Sequence, residues 1–346
     1  MPPSNDQQKL YLTIRNLIGA LVILLLALIF ALCYVFRRPA NSSTVNIPGS
    51  NSSTDNKNNI SYWQAPDRDT ITDAKQKQLV DYGYNLIAHT ALYLGPEGTV
   101  AQLTNGMNCQ NCHLDGGTKV YGNNYSSVFA VYPVLKPRSG KIESTMDRVN
   151  DCLKRSLNGK ELEPQSREMK AIVAYIHFLG EGVPKGKRAP GAGLKDLPIM
   201  NRAADPAKGK AVFIQHCQRC HMENGQGEKL AGEKEYKYPP LWGEHSYNMG
   251  AGLCRISSFA KYVKYNMPKG TDFETPVLSD EEAWDVAAFV NSQPRPGYDL
   301  SKDWPDISKK PFDIAYGPYT DGFTAAQHKY GPYQPIIDKQ KNQARK

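Results

Sequence analysis

Apolar positions along this chain fall into two kinds of pattern. The first is an unbroken run from Leu17 to Phe36, 20 residues without a charge, long enough to cross a bilayer as a helix. The second is a set of amphipathic segments with helical spacing. Leu79, Tyr82, Leu86 and Ile87 predict a helix over Asp73 to Leu94, with Gly83 leaving room for another helix to approach closely. Met146 to Ser156 predicts a helix over about Ser144 to Leu157, ended by Asn158-Gly159. Ile172, Tyr175, Ile176 and Leu179 predict one over Ser166 to Leu179, closed by Gly180.

The order then repeats. Asp205 to Gln215 reads as a helix carrying Gly209 and Phe213, Gly252 to Tyr265 as a second, and Ser279 to Ser292 as a third. Ser279 with Glu282 three residues on is a capping-box signature. Asn41 to Ile60 is polar, rich in Asn, Ser and Thr, and predicts a flexible tether. Glu181 to Ala204 carries Gly, Pro and Lys without periodicity and predicts a linker. The last fifty residues, rich in Pro, Tyr and Gly, predict an arm laid over both repeats rather than a third domain.

Cysteine spacing supplies the chemistry. Of seven cysteines, four fall in Cys109-Gln-Asn-Cys112-His113 and Cys217-Gln-Arg-Cys220-His221. CxxCH attaches a c-type haem through both thiols and places the histidine under the iron. A zinc or redox CxxC is the alternative for a single match. Two matches, 108 residues apart and each preceded by a helix, favour two covalently bound haems c. The fold class that follows is mainly α: two tandem cytochrome c-like domains behind an N-terminal transmembrane helix. The expected organisation is a cytoplasmic N-terminus over 1–16, an anchor over 17–36 and a tether over 37–62. A first cytochrome domain covers 63–182, a linker 183–204, a second domain 205–295 and the C-terminal arm 296–346. His113 and His221 are the proximal ligands.

For the second haem, Met267 in Asn-Met-Pro-Lys-Gly, 46 residues after His221, is the candidate distal ligand; ordinary core packing is the alternative. For the first, Cys152 lies 39 residues after His113. Spacing alone leaves it open between a ligand, a buried free thiol and a disulfide to Cys254. The arginines favour the ligand. Arg148, Cys152 and Ser156 recur every four residues and share one helix face, with Arg155 close by and Arg138 upstream. Guanidinium charge beside a thiol favours the thiolate, and guanidinium forks suit small oxyanions.

A net charge of +8, from 42 basic and 34 acidic residues, suits anionic substrates. No basic-aromatic strip supports nucleic-acid binding. Basic residues flank the apolar run on both sides, as Lys9 and Arg15 and as Arg37 and Arg38, so charge does not orient it. Haem attachment outside the cytoplasm does, and places the body in the periplasm of a bacterial inner-membrane protein. A cleaved signal peptide, leaving a soluble periplasmic protein, is the alternative; the run exceeds the roughly 7–15 apolar residues of such a signal.

Longer strings carry a resemblance. They include Thr90-Ala-Leu-Tyr-Leu-Gly-Pro, Cys109 to Thr118, Arg138-Ser-Gly, Arg148 to Gly159, Pro311 to Tyr319 and Gln327 to Ile336. Between about Tyr82 and Pro335 the chain resembles the periplasmic dihaem thiosulfate dehydrogenases, which can also act as tetrathionate reductases. The resemblance implies oxidative joining of two thiosulfates to tetrathionate, or the reverse. It implies a catalytic first haem ligated by His113 and Cys152, and a substrate site at Arg138, Arg148 and Ser156. It also implies a second haem with His221 and Met267, passing electrons to a c-type cytochrome or a membrane redox partner. Some relatives carry Lys before the distal Met and exchange ligands; Asn266 here predicts a steady His/Met pair. The rivals are a dihaem electron carrier without a substrate site, a dihaem peroxidase, and a sulfur-carrier cytochrome acting on a partner protein.

Overall fold

The structure, a computed structural model, describes residues 5–36 and 61–343, so the expected tether over Asn41 to Ile60 lies outside the described residues. The chain divides into an N-terminal unit and a unit from residue 59 onward. The N-terminal unit holds helix α1, Asn5–Phe36. This helix starts well before the apolar run, and takes in much of the segment expected as a cytoplasmic N-terminus. Its stretch Leu12–Ile29 is apolar and long enough to span a membrane, with none of it buried.

The second unit contains two helical cores. In the first, α2 (Ala74–Ala88) and α3 (Thr90–Leu94) replace the single helix expected over Asp73 to Leu94. The break at His89 has a reason. Thr90 Oγ1 bonds back to Leu86 O at 2.7 Å and receives the Cys109 amide at 2.9 Å. The kink thus ties the helix to the haem motif. α4 (Thr145–Arg155) opens on a capping box between Ser144 and Asp147 and ends two residues earlier than expected. α5 (Arg167–Gly180), capped by Ser166, follows. The second core uses α6 (Pro206–His216), α7 (Ile256–Asn266) and α8 (Asp280–Ser292). α7 begins later than expected, because a 3-10 turn fills Gly252–Cys254 and Arg255 is extended, bonded to Asp313 at 2.9 Å. The predicted capping box of Ser279 and Glu282 is present. Strands are few: β1 (Val134–Lys136) pairs antiparallel with β2 (Lys141–Glu143), Leu135 opposite Ile142. A second short hairpin lies at 228–238.

Each core is built on one glycine. A Cβ on Gly83 of α2 would lie 2.0 Å from Ala171 O on α5, and one on Gly209 of α6 would lie 1.9 Å from Asp285 O on α8. The first and last helices of each repeat therefore cross backbone to backbone, which only glycine permits. Asp285, buried at this crossing, receives Arg202 at 2.8 Å and the Asp205 amide at 2.8 Å.

The linker and the arm are more ordered than their composition suggests. Residues 190–194 run along the 121–124 loop that follows the first haem motif: Tyr121 N donates to Gly191 O at 2.8 Å and Asn123 N to Gly193 O at 2.9 Å. Leu197, Ile199 and Met200 enter the second core. In the arm, Asp303 reaches α4 and Tyr333 and Ile337 pack on the second core. The arm also forms helices α9 (Ala325–Tyr330) and α10 (Gln334–Gln343).

The crossings predict that Gly83→Ala and Gly209→Ala each destabilise the holoprotein by about 1–3 kcal/mol from overpacking, despite alanine's better helix propensity. Gly182→Ala, with nothing within 4 Å of the new Cβ, should stay within about 0.5 kcal/mol of the parent. Denaturant melts followed by circular dichroism measure both, and equal midpoints for all three would refute the close crossings.

Candidate functional site: a haem cavity with a facing thiol

The first CxxCH begins in a 3-10 turn, Cys109–Asn111, fixed by Asn108. Asn108 N donates to Asn111 Oδ1 at 2.7 Å, and Asn108 Oδ1 accepts from Ala91 N at 2.8 Å. His113 Nδ1 lies 2.6 Å from the Asn123 carbonyl, and its ring stacks on Tyr125 at 4.4 Å. With Nδ1 donating to that carbonyl, Nε2 is the nitrogen left for a metal. Burial pushes the His113 imidazole down to about 4. The ring is therefore neutral at physiological pH, the form that ligates.

A cavity of about 260 Å³ opens beside this motif. Cys109, Cys112 and His113 line it on one side, and Arg148, Cys152 and Ser156 of α4 also line it. The shared helix face expected from their spacing is therefore the cavity wall. Ile87, Val128, Leu153, Ile172 and Ile176 supply apolar surface. Among the described residues no three His, Cys, Asp or Glu side chains converge as a bare-ion site requires. Two thiols in register, a neutral imidazole with one free nitrogen and apolar walls fit a haem c instead. Cys152 and Cys254 are both free thiols, which removes the disulfide alternative. Met107 and Met169 are buried in the first core and do not line the cavity.

The arginines separate into two groups. Arg148 lines the cavity, and the negative charge of Cys152, then of Asp151, raises its pKa above the ordinary guanidinium value. Arg138, expected at the same wall, is absent from it. It bonds Asp151, and the Gly250 carbonyl at 3.2 Å. Arg155 likewise points away, bonding Asp151 at 2.6 Å and Asp303 at 2.7 and 2.9 Å. Asp151 also takes Arg148 at 2.6 Å. One carboxylate beside the key cysteine thus receives guanidiniums from three arginines. Its position three residues after Arg148 and four before Arg155 is a signal readable in the sequence. Asp303, Lys136 and Arg188 have no such signal; the latter two line the cavity.

In the second repeat α6 runs into Cys217, and the Gln218–His221 turn follows. His221 Nδ1 lies 2.9 Å from the Pro239 carbonyl, and burial lowers its pKa. This repeats the arrangement at His113. Met267 caps α7 and packs against the second core. The preceding Asn266 is buried, and its Nδ2 donates to Tyr121 O at 3.1 Å in the first repeat. Tyr262 OH on α7 donates to Asn111 O, inside the first CxxCH, at 2.7 Å. The helix leading to Met267 thus rests on the first haem motif.

Known proteins fall on the same two halves. Residues 99–184 match the SoxA/TsdA cytochrome c domain, and residues 204–290 match cytochrome c oxidase, cbb3-type, subunit III. The molecule is therefore two cytochrome c domains carrying covalent haem c. Thiosulfate dehydrogenase of Stutzerimonas stutzeri is 36% identical over 236 residues, covering 68% of this chain and 74% of that protein. Thiosulfate dehydrogenase of Allochromatium vinosum is 38% identical over 196 residues, covering 56% and 71%. A solved thiosulfate dehydrogenase (TsdBA) from Marichromatium purpuratum aligns with TM-score 0.63 and 28% identity, over 79% of this chain and 54% of that one. This chain thus spans about half the length of that solved chain. Sequence, domain order and fold agree: the chain belongs to the thiosulfate dehydrogenase family.

Proposed function

We propose that this protein joins two thiosulfates to tetrathionate at the cavity between His113 and Cys152, with the reverse reduction available at the same site. The observation that carries this reading is the convergence of Cys152, Arg148 and Ser156 on a cavity shared with a CxxCH motif. Arg148 and Ser156 lie one helical turn to either side of the sulfur, placed to hold the sulfonate oxygens of a thiosulfate. Its outer sulfur then meets Cys152 Sγ. Joining the thiolate to that sulfur releases two electrons and gives a Cys152–S–S link. A second thiosulfate attacks the outer sulfur of this link. A sulfur–sulfur bond forms between the two substrates, the bond to Cys152 breaks, and the electron pair returns to Sγ as tetrathionate leaves. When bound, two haems c supply room for the two electrons, one each.

Arg138 enters this reading as a positioning residue, since it holds Asp151 and through it Arg148. His113 and Cys152 are the residues that would hold the first haem iron, and His221 and Met267 those that would hold the second. The second cytochrome domain, over about 205–295, passes electrons outward to a cytochrome or membrane partner; the first, over about 63–182, holds the substrate. α1 acts as an uncleaved anchor to the inner membrane with the body in the periplasm. A plain electron carrier has no need of cations beside a thiol, so the cavity wall favours the enzyme.

Cys152→Gly should abolish thiosulfate oxidation, assayed with ferricyanide, while both haems stay attached on a haem-stained gel. Retained turnover would overturn the assignment. Alkaline carbonate extraction should leave the haem-stained chain in the membrane pellet; release, with a new N-terminus beyond residue 36, would identify α1 as a cleaved signal.

A further inference from the structure

The cavity wall holds more positive charge than one thiosulfate needs. Lys136 from β1 and Arg188 from the segment after α5 line it together with Arg148, and no Asp or Glu lines it. Among the described residues neither Lys136 nor Arg188 takes part in a salt bridge. Arg148, in contrast, gives one nitrogen to Asp151 at 2.6 Å. Lys136 Nζ lies 4.7 Å from the centre of the Tyr132 ring, and that tyrosine also lines the cavity. Arg188 is exposed, as a residue at the mouth would be. Burial, and next the charge of Arg148, lower the pKa of Lys136; Glu143 on β2 opposes them without forming a salt bridge, and Arg188 and Arg138 add to the lowering. Cations crowded together without carboxylate partners are costly unless an anion joins them.

The reaction brings two dianions into one cavity. Arg148 and Ser156 lie along α4 beside Cys152 and serve the first. The second must approach the sulfur already joined to Cys152, with its own sulfonate held elsewhere. Lys136 and Arg188 come from different elements and are the remaining cations of the wall. We propose that Lys136 and Arg188 form a second sulfonate subsite, holding the second thiosulfate as it attacks and one sulfonate end of tetrathionate afterwards. This rests on reading the cavity as the thiosulfate site. The two cations lower the repulsion between the incoming dianion and the Cys152-bound sulfonate; the covalent bookkeeping is that of the reaction above.

The test is equilibrium binding of tetrathionate to the fully oxidised holoprotein, where no electron source permits turnover, alongside thiosulfate kinetics. Lys136→Gln should raise the tetrathionate Kd roughly 10- to 100-fold, the range for one charge-assisted hydrogen bond. The Lys136→Gln/Arg188→Gln double variant should raise it further. KM for thiosulfate should rise more than kcat falls, and Lys136→Arg should restore binding to within a few-fold of the parent. The first haem's spectrum and midpoint potential should stay those of the parent. An unchanged Kd overturns the subsite. So does an unchanged Kd with a shifted first-haem potential, which would assign these cations to the haem carboxylates. If the parent neither binds tetrathionate nor oxidises thiosulfate, the reading of the cavity itself fails, and the subsite falls with it.

Discussion

The placement of α4 governs everything else at this site, because it decides whether Cys152 faces the haem motif. A helix of 11 residues with little apolar surface does not hold itself in one orientation. Asp151 does much of that work, gathering Arg138, Arg148 and Arg155 around one carboxylate. Asp303, buried and reaching in from the C-terminal arm, takes the other edge of Arg155. Arg155 shares the Gly250 carbonyl with Arg138, so the second cytochrome domain also braces the helix. A half-buried charge network of this kind contributes more to geometry than to net stability, since desolvation offsets much of its Coulomb energy. Its effect is to leave Arg148 and the sulfur presented to the cavity.

Bonds between the two small cytochrome domains fuse them rather than leave them tethered. α7, which leads to Met267, donates from Tyr262 to a carbonyl within the first CxxCH, and Asn266 donates to Tyr121. Lys119 reaches Thr271 O at 2.9 Å on the far side of Met267. The second domain's Met267 loop and the first domain's haem motif therefore form one joined surface. Two one-electron centres held in fixed relation suit a reaction that releases two electrons at one sulfur. The segment between the domains, which composition marks as a linker, bonds to the loop after the first haem motif and contributes Arg188 to the cavity.

Much of this was legible in the chain. Helical periodicity located the four crossing helices, because each buries one apolar face against its partner, and Gly83 and Gly209 mark both crossings. The haem motifs and the Arg148, Cys152, Ser156 face are local patterns, and local patterns survive folding. The position of Arg138 was not legible: ten residues separate it from Arg148 in sequence, but both end on Asp151 through tertiary packing. Asp303, 148 residues from Arg155, carries no sequence mark of its role. Lys136 and Arg188 became visible as neighbours only once a hairpin and a returning segment met at one wall. The break at His89 was hidden for a different reason. Helical spacing continues through it, while the Thr90 hydroxyl's bonds to Leu86 O and from Cys109 N reward interruption.

We propose that His113 and Cys152, which line one cavity, would together hold the first haem through nitrogen and sulfur. Electron paramagnetic resonance of the oxidised holoprotein reads out that ligand set. The expected result is a low-spin ferric signal with histidine/thiolate character from one haem, beside a histidine/methionine signal from the other. Two histidine/methionine signals, or a high-spin first haem with no thiolate bound, would contradict it.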